Sequence, residues 1–341
     1  MINKNKPLLT IAVPTYNRPK NLRSLFHDFL KKADNQFDGL VEIIVFDNSD
    51  IEESKKNKKT LKNSKIKYFK NSENVGFTIN VINCFKKAQG NYLWIVSDDD
   101  HINFDAFNNL ISKLECFSNN KYDGIMLPFL SSDGYGKKYI SNNYQSWNVE
   151  QLSTIEELIK NNNQLPFVLF SSAIINMSNL NLDRLVTITN QFQNNDYIQI
   201  PLFLEAITKK GTIFFYNEVL IEYISSREVR FNISNMMNSM KQLIVYYISP
   251  NETHYKKYMT RNYRSYVGLC LMHRAKLYKV NGADSFRGEL IKDLKASCSI
   301  NNIILTCLLY CPSGFLNLLY KLNNFIRFRK LNLNENNLNI G

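Results

Sequence analysis

The chain has 341 residues, of which 44% are hydrophobic and 13% aromatic, a composition that excludes a disordered polymer and is ample for a packed core. Its formal net charge of +12 indicates contact with something anionic, either nucleic acid, a membrane surface or phosphorylated small molecules. The six cysteines form no C-x-x-C pair and no zinc-ligand spacing, which argues against a disulfide framework and fits a reducing compartment.

The first 130 residues alternate β-like runs with helical periodicity, which predicts a mainly parallel sheet flanked by helices. Apolar residues at helical spacing predict one helix after Pro19, a second that ends at Gly90 as a left-handed stop, and a third from Phe104. Strands are predicted at Leu8–Val13, Val41–Phe46 and Ile66–Phe69, in the run that starts at Tyr92, and at Gly124–Phe129.

Three of these strands end in polar residues, at Pro14–Arg18, Asp47–Asp50 and Ser97–Asp100. In parallel α/β sheets the ligand crevice lies beyond the carboxyl ends of the strands, so we expect these three strand ends to converge. The acids Asp98, Asp99 and Asp100 repel one another unless a cation or hydrogen-bond donors compensate, so they predict a cation site. The alternative for the triplet alone is a solvated loop that caps the next helix.

The pattern changes in the second half of the chain. Ser153–Glu156 reads as a capping box that opens a short helix, and Phe167–Ile175 is strand-like. Thr212–Tyr216 and Val219–Ile224 are predicted to form a closing hairpin. Beyond residue 225 the sequence becomes helical, basic and rich in tyrosine, so we divide the chain into a catalytic domain, 1–228, and a helical C-terminal region, 229–341.

An uncharged apolar segment, Ile303–Tyr320, is followed by basic residues and interrupted by Pro312 and Gly314. Two interpretations stay open: a helical hairpin in the interface of an anionic membrane, or a buried helix pair that closes the C-terminal region. No apolar run follows the lysines at the N-terminus, so we expect no signal peptide. The expected location is the cytoplasm, with peripheral contact with the inner face of the inner membrane as the further hypothesis.

Five short motifs resemble those of family 2 glycosyltransferases with the GT-A fold. The resemblance rests on their order, spacing and place at strand ends. The motifs are Val13-Pro-Thr-Tyr-Asn-Arg18, Val45-Phe-Asp-Asn-Ser49, Asn74-Val-Gly76 with Asn80, Ala88-Gln-Gly-Asn-Tyr92 and Ser97-Asp-Asp-Asp100. Such enzymes transfer a sugar from a nucleotide diphosphate to an acceptor hydroxyl, usually with inversion and with Mn²⁺ or Mg²⁺.

The resemblance implies a role for each matched residue. Asp98 would face the ribose, Asp99 and Asp100 would hold the metal, and Asp47 would accept a hydrogen bond from the nucleobase. Capping of a helix or turn is the alternative for Asp47 and for Asn17. For Gly76 the choice lies between a close approach to the donor and an ordinary turn. The expected nucleotide-sugar residues are Pro14, Thr15, Tyr16, Asn17, Arg18, Asp47, Gly76, Asp98 and Asp99.

Inversion also needs a base that takes the acceptor proton. Relatives commonly carry an acid for this purpose 90 to 100 residues beyond the Asp triplet, where this chain has Asn195-Asp196-Tyr197. Asp196 is therefore the expected base; a helix cap and Glu205 as the true base are the alternatives.

The resemblance also implies a biological role, and other classes of function are possible alternatives to it. Such enzymes build surface polysaccharide, O-antigen or capsule on saccharide or lipid-linked acceptors. A non-catalytic nucleotide-sugar-binding protein is the main alternative. The positive charge alone would suit a nucleic-acid-binding protein, but no motif supports one, so we expect no nucleic acid partner. A nucleotidyltransferase would need a glycine-rich phosphate loop, which the sequence lacks.

Overall fold

The computed structural model of the chain divides into two compact units, Met1–Ser225 and Ser226–Gly341. The residues that it describes are 6–116, 122–132, 138–140, 152–154, 157, 169–207, 211–224, 228–229, 232–248, 266–276, 279–296 and 307–319. The assignment of 1–228 as the catalytic domain and of 229–341 as an accessory region stays a prediction.

The first unit is built on a mixed β-sheet. Its strands in chain order are β1 (Leu9–Thr15), β2 (Val41–Asp47), β3 (Lys67–Lys70), β4 (Tyr92–Ile95), β5 (His101–Ile102), β6 (Gly124–Met126), β7 (Phe129–Ser132), β8 (Lys138–Ile140), β9 (Leu152–Thr154), β10 (Ala173–Asn176), β11 (Thr212–Phe215) and β12 (Ile221–Ile224). The second unit contains β13 (Glu228–Val229) and β14 (Lys279–Val280). The main sheet has eight strands in the order β3-β2-β1-β4-β10-β6-β11-β9, and a second sheet has the order β5-β12-β7-β8. Strands β3, β2, β1 and β4 run parallel, whereas β10 is antiparallel to both of its neighbours.

Helices flank the sheet of the first unit. They are α1 (Pro19–Leu25), α2 (Lys31–Gln36), α3 (Ile51–Thr60), α4 (Phe77–Lys87), α5 (Phe104–Cys116), α6 (Leu182–Gln191) and α7 (Gln199–Ile207), and a π-helical turn, Phe26–Leu30, joins α1 to α2. The second unit contains α8 (Ile233–Tyr247) and α9 (Ala283–Ala296). The apolar face predicted after Pro19 is buried throughout, which explains why α1 and this turn lie on the sheet. A mixed sheet flanked by helices is the predicted α/β fold, which the structure confirms.

The strand that leads to the Asp triplet is anchored in the core through Trp94, whose side chain is fully buried. Its indole lies 6.0 Å from the ring of Phe29, edge to face, and is stacked 5.9 Å from Phe107. The indole nitrogen donates a 2.7 Å hydrogen bond to the carbonyl oxygen of Ser171. Because both the apolar body and the polar edge of Trp94 are held, the end of β4 has a fixed position.

Helix α3 was not predicted, because it has no apolar stripe and is rich in lysine. Its buried residues are Ser54 and Asn57, both polar. Its start is fixed instead by Asp50, whose side chain accepts a 3.0 Å hydrogen bond from the backbone nitrogen of Glu53. Capping and buried hydrogen bonds thus define a helix that hydrophobic periodicity does not reveal.

The predicted hairpin between Thr212 and Ile224 is wrong. Strand β11 pairs with β6 and β9 in the main sheet, whereas β12 pairs with β5 and β7 in the smaller one. Both segments are strands, as their composition indicated, but a local pattern does not specify the partner of a strand. The short connection crosses from one sheet to the other.

The predicted left-handed stop at Gly90 is also wrong. Among the described residues, positive φ values at glycine occur at Gly39, Gly76 and Gly282, and α4 already ends at Lys87. Gly90 instead lets its own backbone lie close to β1, since a Cβ atom at this position would be 2.5 Å from the backbone nitrogen of Thr10. This glycine permits tight packing of the chain against β1.

The second unit has a small core of its own, formed around Ile233, Val267 and Phe286, with β13 and β14 paired in parallel. Within the apolar segment predicted at Ile303–Tyr320, residues 307–310 and 313–319 are helical where the structure describes it. Leu309 and Leu316 are buried there, whereas other apolar side chains of the segment are exposed. Among the described residues, the structure has no helix that is both long and apolar enough to cross a bilayer.

Candidate active site

The candidate site lies where the order of the parallel strands reverses, between β1 and β4. In open α/β sheets this reversal opens a crevice beyond the carboxyl ends of the strands, and ligands bind there. Ala12 is in register with Ile95. Thr15 and Asp98 each lie three residues beyond this pair, so they lie side by side at the ends of the two strands. The expected convergence of the first strand end with the Asp triplet is therefore present.

Asp98 lies at the bottom of this crevice and is 4% exposed. Thr15 Oγ1 donates to Asp98 Oδ2 over 2.6 Å, and Arg18 Nη1 lies 3.2 Å from Oδ1. Burial raises the pKa of Asp98 to about 6, against the opposing effects of the Thr15 hydroxyl and the Arg18 guanidinium. The carboxyl group is thus oriented through both of its oxygens.

Asp99 lies nearer the surface, with 44% of its side chain exposed. Arg18 Nη1 is 3.0 Å from its Oδ2, and Ser97 Oγ donates to its Oδ1 over 2.5 Å. Arg18 therefore bridges two of the three acids. Ser97 contributes a donor to the cluster and no charge.

Within the described part of the chain, Asp100 is the member of the triplet with a buried oxygen that lacks a donor. The residue is 4% exposed, and Ser171 Oγ donates to its Oδ2. Its Oδ1 is buried and has no hydrogen-bond partner in the described part of the chain. Burial raises the pKa of Asp100 to about 7, and the nearby Asp99 and Asp98 raise it further. An uncompensated carboxylate oxygen of this kind favours a bound cation.

The acid cluster fits a divalent cation that shares its coordination shell with a ligand. No group of three or more His, Cys, Asp or Glu side chains suited to a metal occurs among the described residues. Asp100 and Asp99 could supply two carboxylates, and Mg²⁺ in such sites commonly takes one or two carboxylates together with substrate phosphates.

The first two strand ends are joined by Asn17, which has a left-handed backbone with φ of 52°. Its backbone nitrogen donates to Ser49 Oγ over 2.7 Å, and its Oδ1 accepts from the backbone nitrogen of Asp50 over 3.0 Å. Next to it, Pro14 is partly buried and Tyr16 is 48% exposed. With the Thr15–Asp98 hydrogen bond, these contacts bring all three predicted strand ends together.

Asp47 is fully buried at the end of β2. It accepts hydrogen bonds from the backbone nitrogen of Ser49 at 2.8 Å, from Asn57 Nδ2 at 2.9 Å and from the Tyr68 hydroxyl at 2.6 Å. The contact with Ser49 is the turn contact that the capping alternative expected, whereas Asn57 and Tyr68 reach the carboxylate from α3 and β3. Contact with a nucleobase stays a prediction for this residue.

A network of asparagine side chains fixes the loop that contains Gly76. Asn48 Oδ1 accepts from the backbone nitrogen of Val75 at 3.0 Å and from Asn71 Nδ2 at 3.1 Å. Asn74 Oδ1 accepts from Asn48 Nδ2 at 2.5 Å and from the Gly76 nitrogen at 3.0 Å. Gly76 has φ of 79°, and a Cβ atom at this position would meet no atom of the described residues within 4 Å, so its backbone conformation explains the glycine. Asn48 lies in one of the five motifs but had no predicted role, and Asn71 was missed, although asparagines recur at these strand ends.

Asp196 lies on the loop before α7 and is partly buried, and burial raises the pKa of its carboxyl group. The adjacent Asn195 holds this loop, since its Oδ1 accepts from the backbone nitrogen of Tyr197 at 2.9 Å. Glu205, the alternative base, is 7% exposed and lies 2.5 Å from Arg184 Nε in an ion pair.

Aromatic contacts connect the Asp196 side of the unit to the acid cluster. Phe203 of α7 lies 5.9 Å from Phe170, the residue before Ser171. Phe170 also lies 5.2 Å from Phe77, which follows Gly76. The turn at 170–172 therefore touches the acids, the Gly76 loop and the helix that follows Asp196.

A mixed sheet with this strand reversal and an acid triplet at the end of β4 defines a glycosyltransferase of the GT-A fold. The family model for glycosyl transferase family 2 matches residues 10–181, just over half of the chain. The protein belongs to glycosyl transferase family 2.

Named relatives agree with this class. Abequosyltransferase RfbV of Salmonella typhimurium is 26% identical over 176 residues, which cover 51% of this chain and 50% of that protein. The chain thus spans about half the length of the curated relative. Two structures of S. aureus TarS 1-349 share the fold. The complex with UDP-GlcNAc has a TM-score of 0.51 at 12% identity and covers 87% of this chain and 78% of that one. The complex with UDP has a TM-score of 0.50 at 13% identity and covers 85% and 81%.

Proposed function

We propose that this glycosyltransferase transfers a sugar from a nucleotide-diphosphate sugar to an acceptor hydroxyl, with inversion and with Mn²⁺ or Mg²⁺. The observation that carries the proposal is the acid cluster at the strand reversal, in which Asp100 keeps one buried oxygen without a donor among the described residues. The leaving nucleoside diphosphate develops negative charge, which a hard cation held by carboxylates stabilises. The TarS structure in complex with UDP-GlcNAc supports a nucleotide sugar as the donor class.

The proposed roles follow the distribution of charge and exposure in the crevice. Asp100 and Asp99 hold the metal, and Asp98 faces the ribose. Arg18, whose side chain is 45% exposed, turns from the acids to the diphosphate when the donor binds. Pro14, Thr15, Tyr16, Asn17, Asp47 and Gly76 complete the nucleotide-sugar pocket in this proposal. Asp196 is the base that takes the acceptor proton, because burial already raises its pKa toward the working range of a base.

The proposed acceptor belongs to the synthesis of a surface polysaccharide. An abequosyltransferase among the relatives supports a role in O-antigen or capsule synthesis, with a saccharide or lipid-linked saccharide as acceptor. Exposed apolar side chains in the second unit, Tyr310, Phe315 and Leu318, support peripheral contact with the cytoplasmic face of the inner membrane. Sedimentation of the full chain with anionic vesicles, compared with a Phe315→Ser, Leu318→Ser variant, tests this contact; equal sedimentation of the two proteins contradicts it.

The donor site is tested by thermal stabilisation of the purified protein with UDP, GDP, CDP and dTDP, each with and without Mn²⁺. We expect one nucleotide to raise the melting temperature in a metal-dependent manner, and Asp100→Asn to abolish the metal-dependent part. Stabilisation by a nucleotide without metal dependence and without turnover supports the alternative, a non-catalytic nucleotide-sugar-binding protein. No stabilisation by any of the four contradicts the proposed donor site.

A further inference from the structure

Ser171 is a buried side chain that contacts the acid cluster from outside the Asp triplet. It lies on the short 3₁₀ turn Phe170–Ser172 and is fully buried. Its hydroxyl donates to Asp100 Oδ2 and accepts a 3.0 Å hydrogen bond from the backbone nitrogen of Ser97. One hydroxyl group thus holds both the first residue of the Ser97–Asp100 segment and the carboxylate of its last.

The turn that carries Ser171 is itself held from several sides. The Trp94 indole donates to the Ser171 carbonyl at 2.7 Å, and the backbone nitrogen of Leu127 donates to the Ser172 carbonyl at 2.9 Å. Phe170 packs against the rings of Phe77 and Phe203. The hydroxyl of Ser171 therefore projects from a rigid support.

We propose that Ser171 is a positioning residue that fixes the carboxylate of Asp100 so that Oδ1 faces the bound cation. The proposal rests on the function proposed above, in which Asp100 is a metal ligand. Ser171 is fully buried, so it acts through Asp100 and has no contact with solvent.

The physical reason is that the carboxylate group of an aspartate rotates easily about its terminal bond. The terminal torsion of an aspartate is broad and roughly two-fold, so its two oxygens exchange places unless one of them is held. The Ser171 hydroxyl occupies Oδ2, and Oδ1 is left as the buried oxygen without a donor in the described part of the chain. A ligand held in one orientation loses less entropy when the metal binds, and partners of metal ligands typically contribute 10- to 100-fold in metal affinity.

Ser172 offers a matched control on the same turn. It is 5% exposed, and its hydroxyl donates to the carbonyl oxygen of Leu169 over 2.6 Å. Ser171→Ala and Ser172→Ala each remove one buried hydroxyl group from one turn. A purely structural role predicts similar effects of the two substitutions on every property, whereas positioning predicts a difference in metal affinity.

The test measures Mn²⁺ affinity of the full chain by electron paramagnetic resonance of free Mn²⁺, with UDP or whichever nucleotide stabilises the protein. We expect Ser171→Ala to weaken Mn²⁺ binding by about 10- to 100-fold and Ser172→Ala by less than about twofold, while melting temperatures fall by similar amounts. Ser171→Cys keeps the shape of the side chain with a weaker donor and should also weaken Mn²⁺ binding.

Three outcomes contradict the proposal. Equal Mn²⁺ affinities of the two alanine variants assign Ser171 a structural role only. If Ser171→Ala does not fold, wild-type affinity of Ser171→Cys has the same meaning. Wild-type protein whose Mn²⁺ binding is absent, or is unaffected by Asp100→Asn, overturns the proposed metal site itself and the role of Ser171 with it. The Asp100→Asn arm therefore separates failure of the proposed function from failure of the positioning role.

Discussion

The Thr15 hydroxyl donates to Asp98 across two adjacent parallel strands, over a distance of 2.6 Å. The two residues are 83 positions apart in sequence, yet each lies three positions beyond a pair that is in register, Ala12 and Ile95. The register of β1 with β4 therefore brings this donor to this acid. The hydrogen bond marks the point of the sheet at which the strand order reverses.

Replacing Thr15 with valine should destabilise the protein more at high pH than at low pH. Valine keeps the shape of the side chain but removes a donor from a buried carboxylate, which costs roughly 1–3 kcal/mol when the acid is charged. Burial raises the pKa of Asp98 to about 6, so the carboxyl group is charged at pH 8 and largely neutral at pH 5. Urea unfolding at the two pH values measures the effect, and Thr15→Ser, which keeps the hydroxyl, is the control. An equal loss of stability at both pH values contradicts the prediction.

The pH dependence of stability should change when Asp100 becomes asparagine. The pKa of this acid is raised from 3.8 to about 7 by burial, so between these pH values the folded state binds more protons than the unfolded state. Stability therefore falls as pH rises through this window, by up to ~4 kcal/mol for such a shift, and Asp100→Asn lacks this loss. In EDTA, the variant should gain stability relative to wild type from pH 5 to pH 8. Glu115→Gln, which replaces an exposed acid of α5, is the control.

Arg18 should affect metal and nucleotide binding in opposite directions. Its guanidinium lies 3.2 Å from Asp98 and 3.0 Å from Asp99, so it competes with a cation for the acids. Arg18→Met should tighten Mn²⁺ binding in the absence of nucleotide and weaken nucleotide binding in the presence of Mn²⁺, each by about tenfold. Calorimetric titrations measure both constants. Arg23→Met removes an exposed charge from α1, the helix that follows Arg18, and should change neither constant. If Arg18→Met changes both constants in the same direction, Arg18 has only a general electrostatic effect.

The convergence of the strand ends could be predicted from sequence because it follows from local pattern and general rules. Apolar runs locate β1, β2 and β4, and parallel strands with helical connections end at one edge of the sheet. From this rule, the acids at the end of β4 are expected to lie near Thr15 at the end of β1.

The contribution of Ser171 could not be predicted in this way. Its hydrogen bond to Asp100 spans 71 positions and depends on β10 lying antiparallel beside β4, a pairing that no local pattern specifies. The partners of β11 and β12 were missed for the same reason. Asn48 was overlooked because its amide is satisfied by a loop 26 positions away, at Asn74. The tertiary structure is thus needed to identify the residues that hold the functional groups and to establish the order of the antiparallel strands.

Two glycine substitutions should have opposite effects on stability. Gly90→Ala places a Cβ atom 2.5 Å from the backbone nitrogen of Thr10, which the buried strand cannot relieve by a side-chain movement, so we expect a loss of more than about 2 kcal/mol. Gly288→Ala lies within α9, and no atom of the described residues is within 4 Å of the added Cβ, so this substitution should stabilise by up to about 1 kcal/mol. Thermal and urea unfolding measure both. A Gly90→Ala protein as stable as wild type contradicts the close approach of the chain to β1.

Asp196 should be essential for transfer and dispensable for donor binding. If it takes the acceptor proton, Asp196→Asn should lower kcat by about 10²-fold or more and leave stabilisation by the metal–nucleotide complex unchanged. Because the base works in its ionised form and burial raises its pKa, the wild-type rate should rise with pH above the ordinary aspartate range, and this limb should vanish in the variant. Release of the nucleoside diphosphate from the donor sugar provides the measurement. Glu205→Gln tests the alternative: this acid is paired with Arg184, so its loss should reduce stability and spare turnover. Turnover by Asp196→Asn together with an inactive, folded Glu205→Gln protein would reverse the assignment.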